Sequence, residues 1–322
     1  MRECSPCALP ARGPFATCES SYLIKPELER LQAHVEALSE PRCPRANREG
    51  HARVKQRLLD RLKAIGETVR IEPFLFQGSV HENLVLDLPG QEEQGRELVI
   101  VGAHYDSAPD CPGADDNGSA LAVLLEIGRT LAPLCRRHDL RLVAFDLEET
   151  DFRGSRHHAA ECAWARRPVR LMVSLEMLGY CSHEPGSQRY PGKLGALLPE
   201  QGDFIGLLCN LRGIRSTFTL AGQLRSAHAR TFALPTGIKG EWVPASCRSD
   251  HVPFWELGFP AVLVTDTGNL RNPHYHLPSD RPDTLDYAFL EKVSRGLASG
   301  IGRLIGAPRK PETQREIVHP TK

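Results

Sequence analysis

Two histidines, His104 and His276, and four carboxylates, Asp115, Glu148, Glu149 and Glu176, fall in five separate short segments of this chain. Most of those segments begin where an apolar, strand-like run ends. Imidazole nitrogen and carboxylate oxygen are donors that zinc accepts, usually about four per ion, and a catalytic site keeps one position for water. Two zinc ions ~3.5–4 Å apart can clamp a water between them and lower its pKa towards ~7. Such a pair calls for about five protein ligands, one of them a bridging carboxylate, plus a free carboxylate that moves protons. The six residues supply that inventory. Two histidines and three carboxylates can ligate, and one carboxylate is left over as a base. The chemistry implied is metal-assisted hydrolysis.

These side chains need a frame that brings distant segments together. Pro26 opens a first helix, a favoured first-turn position, and Leu28, Leu31, Val35 and Leu38 recur at helical spacing. Val54, Leu58, Leu62 and Ile65 mark a second helix, with Gly66 as its stop. Val69 and Ile71 alternate with polar residues, and Asn83 to Leu88 is a second strand candidate. Glu97 to Ala103 (ELVIVGA) is continuously apolar, as a strand buried on both faces should be. Asn117 is placed to cap a helix bearing Leu121, Leu124, Leu125 and Leu131. Leu140 to Phe145, Leu171 to Leu175 and Ala261 to Val264 read as further strands, and Gly154 to Ala165 as a helix. Ser249 can cap a short helix over His251 to Glu256, and Asp286 a closing helix through Leu304.

Strands alternating with helices predict an α/β fold: a single-domain mixed, mostly parallel β-sheet with helices on both faces. In such sheets ligands bind beyond the carboxyl ends of the strands. His104 follows ELVIVGA, Glu148 and Glu149 follow LRLVAFDL, and Glu176 follows LMVSL. The expected organisation is a leader over 1–24, a catalytic domain over 25–307 and a polar tail over 308–322. Residues 181–248 hold much of the glycine and proline, with a helix around Phe204 to Leu211 and few clear strands. They are expected to drape over the sheet edge as an insertion.

A chain of 322 residues can bury a sizeable core, and 41% hydrophobic with 25% charged residues is a globular composition. Lys+Arg and Asp+Glu both number 40, so no net field draws in nucleic acid or an anionic membrane, and neither is expected as a partner. No apolar stretch approaches a membrane span. Met1 to Tyr22 lacks a continuous apolar core, which argues against a secretory signal and for a cytoplasmic protein. The ten cysteines are irregularly spaced and suggest no disulfide framework. Cys4 and Cys7 form a CxxC that, with Cys18 and Cys43, could hold a structural zinc. The spacing is loose and nothing regular frames it, so a leader with free thiols is the reading.

The local sequences are more specific than the inventory. HYD at His104–Asp106, GADDNGS at Gly113–Ser119, EE at Glu148–Glu149, SLEMLGY at Ser174–Tyr180, SDHVPFW at Ser249–Trp255 and NPHYHLPSD at Asn272–Asp280 occur in that order. Together they resemble the M28 family of zinc metallopeptidases, over about residues 50 to 305. The resemblance implies two zinc ions per chain and a peptide substrate. Asp115 would bridge the metals, His104 and Glu176 would complete one, Glu149 and His276 the other, and Glu148 would be the general base. Asp106 would fix the His104 ring. In this family the peptide bond after the bridging Asp is often cis, which here would be Asp115–Asp116. The match falls on His276 rather than His274.

The resemblance favours an aminopeptidase and leaves two alternatives. Glutaminyl cyclases are similar to M28 peptidases but work with a single zinc and release ammonia. Some relatives are binding ectodomains that lose ligands, whereas this chain retains all of them. Asp250 and His251 could line the pocket or orient a ligand, or could simply begin a helix. His157 and His158 read as surface residues, and Cys111 as a plain loop cysteine.

Overall fold

A computed structural model describes residues 27–67, 69–190 and 198–307. The leader with Cys4, Cys7 and Cys18, and the tail at 308–322, lie outside the described residues. Helices α1 (Glu27–Leu38) and α2 (Arg48–Ile65) precede the hairpin β1 (Val69–Phe76) and β2 (Ser79–Leu88). Strand β3 (Leu98–His104), helix α3 (Ala120–Leu131), strand β4 (Asp139–Phe145), helix α4 (Arg153–Trp164) and strand β5 (Val169–Glu176) follow. Then come β6 (Ile205–Cys209), α5 (Ile214–Ser226), β7 (Thr231–Pro235), the short α6 (Val252–Glu256), β8 (Ala261–Thr265) and α7 (Tyr287–Leu304).

The strands form one eight-stranded sheet in the order β1-β2-β4-β3-β5-β8-β6-β7. Its centre is parallel: β3 pairs with β4 and β5, and β5 with β8. The hairpin joins β4 antiparallel, and β6 joins β8 antiparallel. Every residue of β3 is buried, which is why its sequence shows no polar alternation. Its side chains still alternate between faces. Val99 and Val101 enter a core with α1, α2, α3, α5 and α7, while Leu98 and Ile100 enter a second core with Ala159 and Cys162 of α4 and Phe254 and Trp255 of α6. Gly102 on β3 makes room for Phe145, whose ring would meet an added Cβ at 2.2 Å.

Asp286 caps α7 as its sequence suggested, accepting from the Phe289 N–H at 2.9 Å. Three expectations are corrected. The helix sought around Phe204 to Leu211 is strand β6, and with β7 it forms a parallel pair at the sheet edge, so this stretch is built into the sheet. Asn117 caps nothing: its side chain donates to Leu175 O at 2.9 Å and accepts from Met177 N at 3.0 Å, tying the loop before α3 to the end of β5. Ser249 does not cap α6, because its hydroxyl is turned to Ser174 and Glu176. The seven described cysteines are free thiols. No helix among the described residues is long and apolar enough to cross a membrane.

Candidate metal centre

The carboxyl ends of β3, β4 and β5 converge, and the loops that leave them carry the chemistry. His104 is the last residue of β3 and is fully buried. Its Nδ1 lies 3.2 Å from the Asp106 carbonyl and 3.4 Å from Asp106 Oδ1, which leaves Nε2 facing a cluster of carboxylates. From there Nε2 is 3.2 Å from Asp116 Oδ1, 3.5 Å from Glu176 Oε1 and 3.8 Å from Glu148 Oε2. The other oxygen of Asp116, Oδ2, is 3.1 Å from His276 Nε2, which in turn is 3.1 Å from Glu149 Oε1. One carboxylate thus stands between two imidazoles.

That carboxylate is Asp116 and not Asp115. The Asp115 carboxylate turns the other way and is spent on protein donors. Its Oδ1 accepts from Ser119 Oγ at 3.0 Å and Gly179 N at 2.9 Å, and its Oδ2 from Asn272 Nδ2 at 2.7 Å. The cis peptide bond is correspondingly Asp116–Asn117 rather than Asp115–Asp116. Gly113 opens this loop at φ +62°, where an added Cβ would meet the Asp116 carbonyl at 2.2 Å. Asp280, the last residue of the NPHYHLPSD motif, receives the N–H groups of Asp115 and Asp116 at 2.9 and 3.1 Å. The buried Arg42 guanidinium gathers the carbonyls of Leu38, Tyr105, Pro112 and Gly113 from behind.

Asp106 does more than orient His104. Its carboxylate accepts the N–H of Glu148 at 3.1 Å and of Glu149 at 3.2 Å. The two glutamates therefore hang from one anchor and diverge. Glu149 reaches His276, whereas Glu148 points towards His104. Leu147 (φ +57°), Met177 (φ +47°) and His276 (φ +58°) take left-handed backbone beside these groups, at a cost of roughly 1–3 kcal/mol each. Such strain persists only where surrounding bonds hold it, as Asn117 holds Met177.

Electrostatics follow from crowding. Burial is the chief cause that drives the Glu148 carboxyl well above its usual range, with Glu176, Asp250 and Glu149 adding to it against the pull of His104. Burial likewise raises Glu149 and Glu176, and lifts Asp250 to about 7. Burial opposes charge on His276, but Asp116 and Glu149 outweigh it and raise the imidazole to about 10. Carboxylates packed this closely call for a cation.

The donor set fits divalent ions. His104, Asp116 and Glu176 offer one group of ligand atoms within 4.8 Å of one another, and Asp116, Glu149 and His276 offer a second. Among the described residues, the buried atoms His104 Nε2, Asp116 Oδ1 and Glu149 Oε1 have no hydrogen-bond partner. Each belongs to one of those groups, and a missing partner at a ligand atom is what a cation would supply. The groups open on a cavity of about 210 Å³ whose wall includes Phe152, Arg248 and Tyr275.

Five of the expected ligands and base residues, His104, Glu148, Glu149, Glu176 and His276, come together here, and Asp106 lies against them; Asp115 does not join them. His274 lies outside the donor groups, with Nδ1 3.0 Å from Ser279 Oγ. His251 is buried with Nε2 2.8 Å from the Ser246 carbonyl, and burial lowers it to about 3, so it is a neutral structural ring. His158 is also buried rather than superficial, with Nδ1 2.7 Å from Glu72. Cys111 is a buried thiol pushed up to about 12. Sequence reasoning missed Arg42, Asn272, Asp280 and the bond from Ser249 to Glu176. Asn272, Asp280 and Ser249 lie inside quoted motifs, but Arg42 carries no local signal.

Residues 83–301 match the model of "Peptidase family M28". The uncharacterized protein YfbL of Escherichia coli K12 is 34% identical over 286 residues, covering 84% of this chain and 86% of that protein. Aminopeptidase YwaD of Bacillus subtilis is 28% identical, with 76% of this chain matching 49% of that protein, so the chain spans about half of YwaD's length. Among solved structures, the LapA aminopeptidase of Legionella pneumophila superposes at a TM-score of 0.67 with 17% identity, covering 92% of this chain and 78% of LapA. BSAP, a zinc aminopeptidase from Bacillus subtilis, gives 0.56 at 24% identity, with coverages of 74% and 53%. Porphyromonas gingivalis glutaminyl cyclase gives 0.62 at 17% identity, with coverages of 86% and 98%. At these identities the structural likenesses concern the fold alone.

Proposed function

The chain belongs to peptidase family M28, and from that membership we propose that it is a zinc-dependent exopeptidase, an aminopeptidase, carrying two zinc ions. The observation that carries the reading is the pair of donor groups sharing Asp116. His104, Asp116 and Glu176 would hold one ion, and Asp116, Glu149 and His276 the other. Bound there, the ions would bring a water towards ionisation near neutral pH and polarise a substrate carbonyl.

The chain's own residues do the rest. Glu148 stays outside both donor groups, so its lone pairs remain free for a proton. Its burial and its carboxylate neighbours raise its proton affinity, as a group that must both take and return a proton requires. Glu148 takes the proton of the attacking water and delivers it to the leaving amine. Asp106 holds the Glu148 backbone, and so the base, in register with the carbonyl to be attacked. The carboxylates along the cavity suit the free amine of a peptide, and the name of YwaD points the same way.

The glutaminyl cyclase likeness supports a second reading, a single-zinc acyl transfer that releases ammonia. Metal content and substrate profile separate the two. About two zinc ions per chain, with cleavage of free-amine peptides and no cleavage of N-blocked ones, is the expected result. One zinc per chain with cyclisation of N-terminal glutamine would replace the peptidase reading by the cyclase one.

A further inference from the structure

Arg248 stands on the cavity wall beside Tyr275 and His276. Its guanidinium donates to Asn269 Oδ1 at 3.0 Å and to Tyr275 Oη at 3.4 Å. Both acceptors are neutral, and among the described residues Arg248 forms no ion pair. Arg248 is exposed to solvent, and carboxylates dominate the lining of the cavity it borders. Arg153, next to the cavity-lining Phe152, pairs with Asp151 at 3.0 Å. Arg271 is buried, with its Nε on Gln188 and Nη1 on the Tyr180 carbonyl.

The guanidinium is also held in place. Asn269 belongs to a loop whose backbone carbonyl is bonded by Arg189 at 3.0 Å. Tyr275 lies flat on the His276 ring, with centroids 3.8 Å apart and planes at 18°. Arg248 is therefore gripped from two sides by groups that leave its charge uncompensated. A guanidinium has five N–H donors in a planar fork that matches a carboxylate edge-on, and only two are used here. A prepositioned fork loses little freedom on binding, which favours recognition.

We propose that Arg248 recognises a carboxylate on the substrate, so that the site prefers peptides with a carboxylate close to the bond cut; this rests on the peptidase reading above. The carboxylate has two sources. It can be the side chain of an acidic N-terminal residue, or the free C-terminal carboxylate of a dipeptide.

The test uses the zinc-loaded parent, Arg248→Met and Arg248→Lys. The substrates are glutamyl and alanyl p-nitroanilide, which differ by a side-chain carboxylate, and Ala-Ala and Ala-Ala amide, which differ by the terminal one. In the parent, one pair should favour its carboxylate member by about tenfold or more in kcat/KM, and that pair identifies the source. Arg248→Met should erase that preference by raising the KM of the carboxylate member more than that of the neutral one, and Arg248→Lys should keep part of it. An equal fall on all four substrates, or no preference in the parent, overturns the proposal. Calorimetric binding of Ala-Ala and its amide, and of glutamic and alanine amides, to Glu148→Gln with and without Arg248→Met reads recognition without turnover. Carboxylate-dependent binding with no hydrolysis anywhere would remove the peptidase reading and keep Arg248's role. Hydrolysis with no Arg248 dependence in either assay would remove Arg248's role alone.

Discussion

Ser249 Oγ donates a 2.7 Å hydrogen bond to Glu176 Oε2, while Oε1 of the same carboxylate is the oxygen facing His104 Nε2 at 3.5 Å. The hydroxyl thereby fixes which oxygen is left for a metal. Bonds of this kind to a ligating carboxylate are worth about 10–100-fold in metal affinity. Ser249→Ala should lose zinc from the His104–Asp116–Glu176 group within that range, and Ser249→Thr should lose less. Competition against a chromophoric chelator measures it, and unchanged zinc affinity in Ser249→Ala would refute the role.

Asp116 and Asp115 make the sharpest contrast. Asp116→Asn should abolish retention of the second zinc and most activity, because both donor groups depend on it. Asp115→Asn should reduce thermal stability while retaining metal, since it disturbs the bonds to Gly179, Ser119 and Asn272. Zinc content of the two purified variants, set beside their melting curves, decides between them. The reverse pattern would restore Asp115 as the bridge.

Glu148→Gln keeps the shape of the side chain and removes its basicity. General acid–base catalysis contributes about 10²–10⁴-fold, so kcat should fall within that range while bound metal and fold persist. Turnover close to that of the parent would show that another group moves the proton.

Removal of metal by a chelator should abolish hydrolysis, and added Zn²⁺ should restore it. The recovery should be complete only near two ions per chain, with partial activity at one. Activity that survives complete removal would end the proposed mechanism.

Away from the site, burial raises the Glu126 carboxyl, but hydrogen bonds from His34, Arg30 and Arg129 outweigh it and hold the group at about 2. A depressed carboxylate stabilises the fold above its unfolded pKa, and that contribution disappears as pH falls through the folded value. The loss should therefore span about pH 5 to pH 2, and on linkage it amounts to something on the order of 3 kcal/mol. Glu126→Gln should be less stable than the parent at pH 7, with the gap closing towards pH 2. Urea unfolding midpoints across that window provide the check, and a pH-independent gap would contradict the pairing.

The sequence was most readable where burial writes a simple pattern. Strands β3, β4, β5 and β8 are apolar runs, and the ends of the first three lead directly to His104, the diglutamate and Glu176. Asp115 and Asp116 defeated the same approach. They are identical neighbours, and which one faces the cavity depends on irregular backbone, with φ −104° and ψ 86° at Asp116, that no periodicity encodes. Strand β6, IGLLC, is too short to show its period, so its apolar residues fit a helix as well as a strand. Asn117 and Ser249 are good capping residues by type, but their partners lie 58 and 73 positions away in the chain. Long-range bonds of this kind leave no local trace.

Asp106 carries a different lesson. By receiving both glutamate amides while standing against the His104 ring, it ties the proposed base Glu148 to the backbone of Glu149 and to His104, two of the proposed metal ligands. The backbone positions from which Glu148 and Glu149 extend are then set by one carboxylate. Such a site is hard to retune gradually: damage at position 106 should disable binding and proton transfer in a single step, whereas Glu148 can be altered alone. Changes in what the molecule accepts are freer to arise at the cavity rim, where Arg248 makes no bond to Asp106 or to the two glutamates and reaches His276 only through Tyr275.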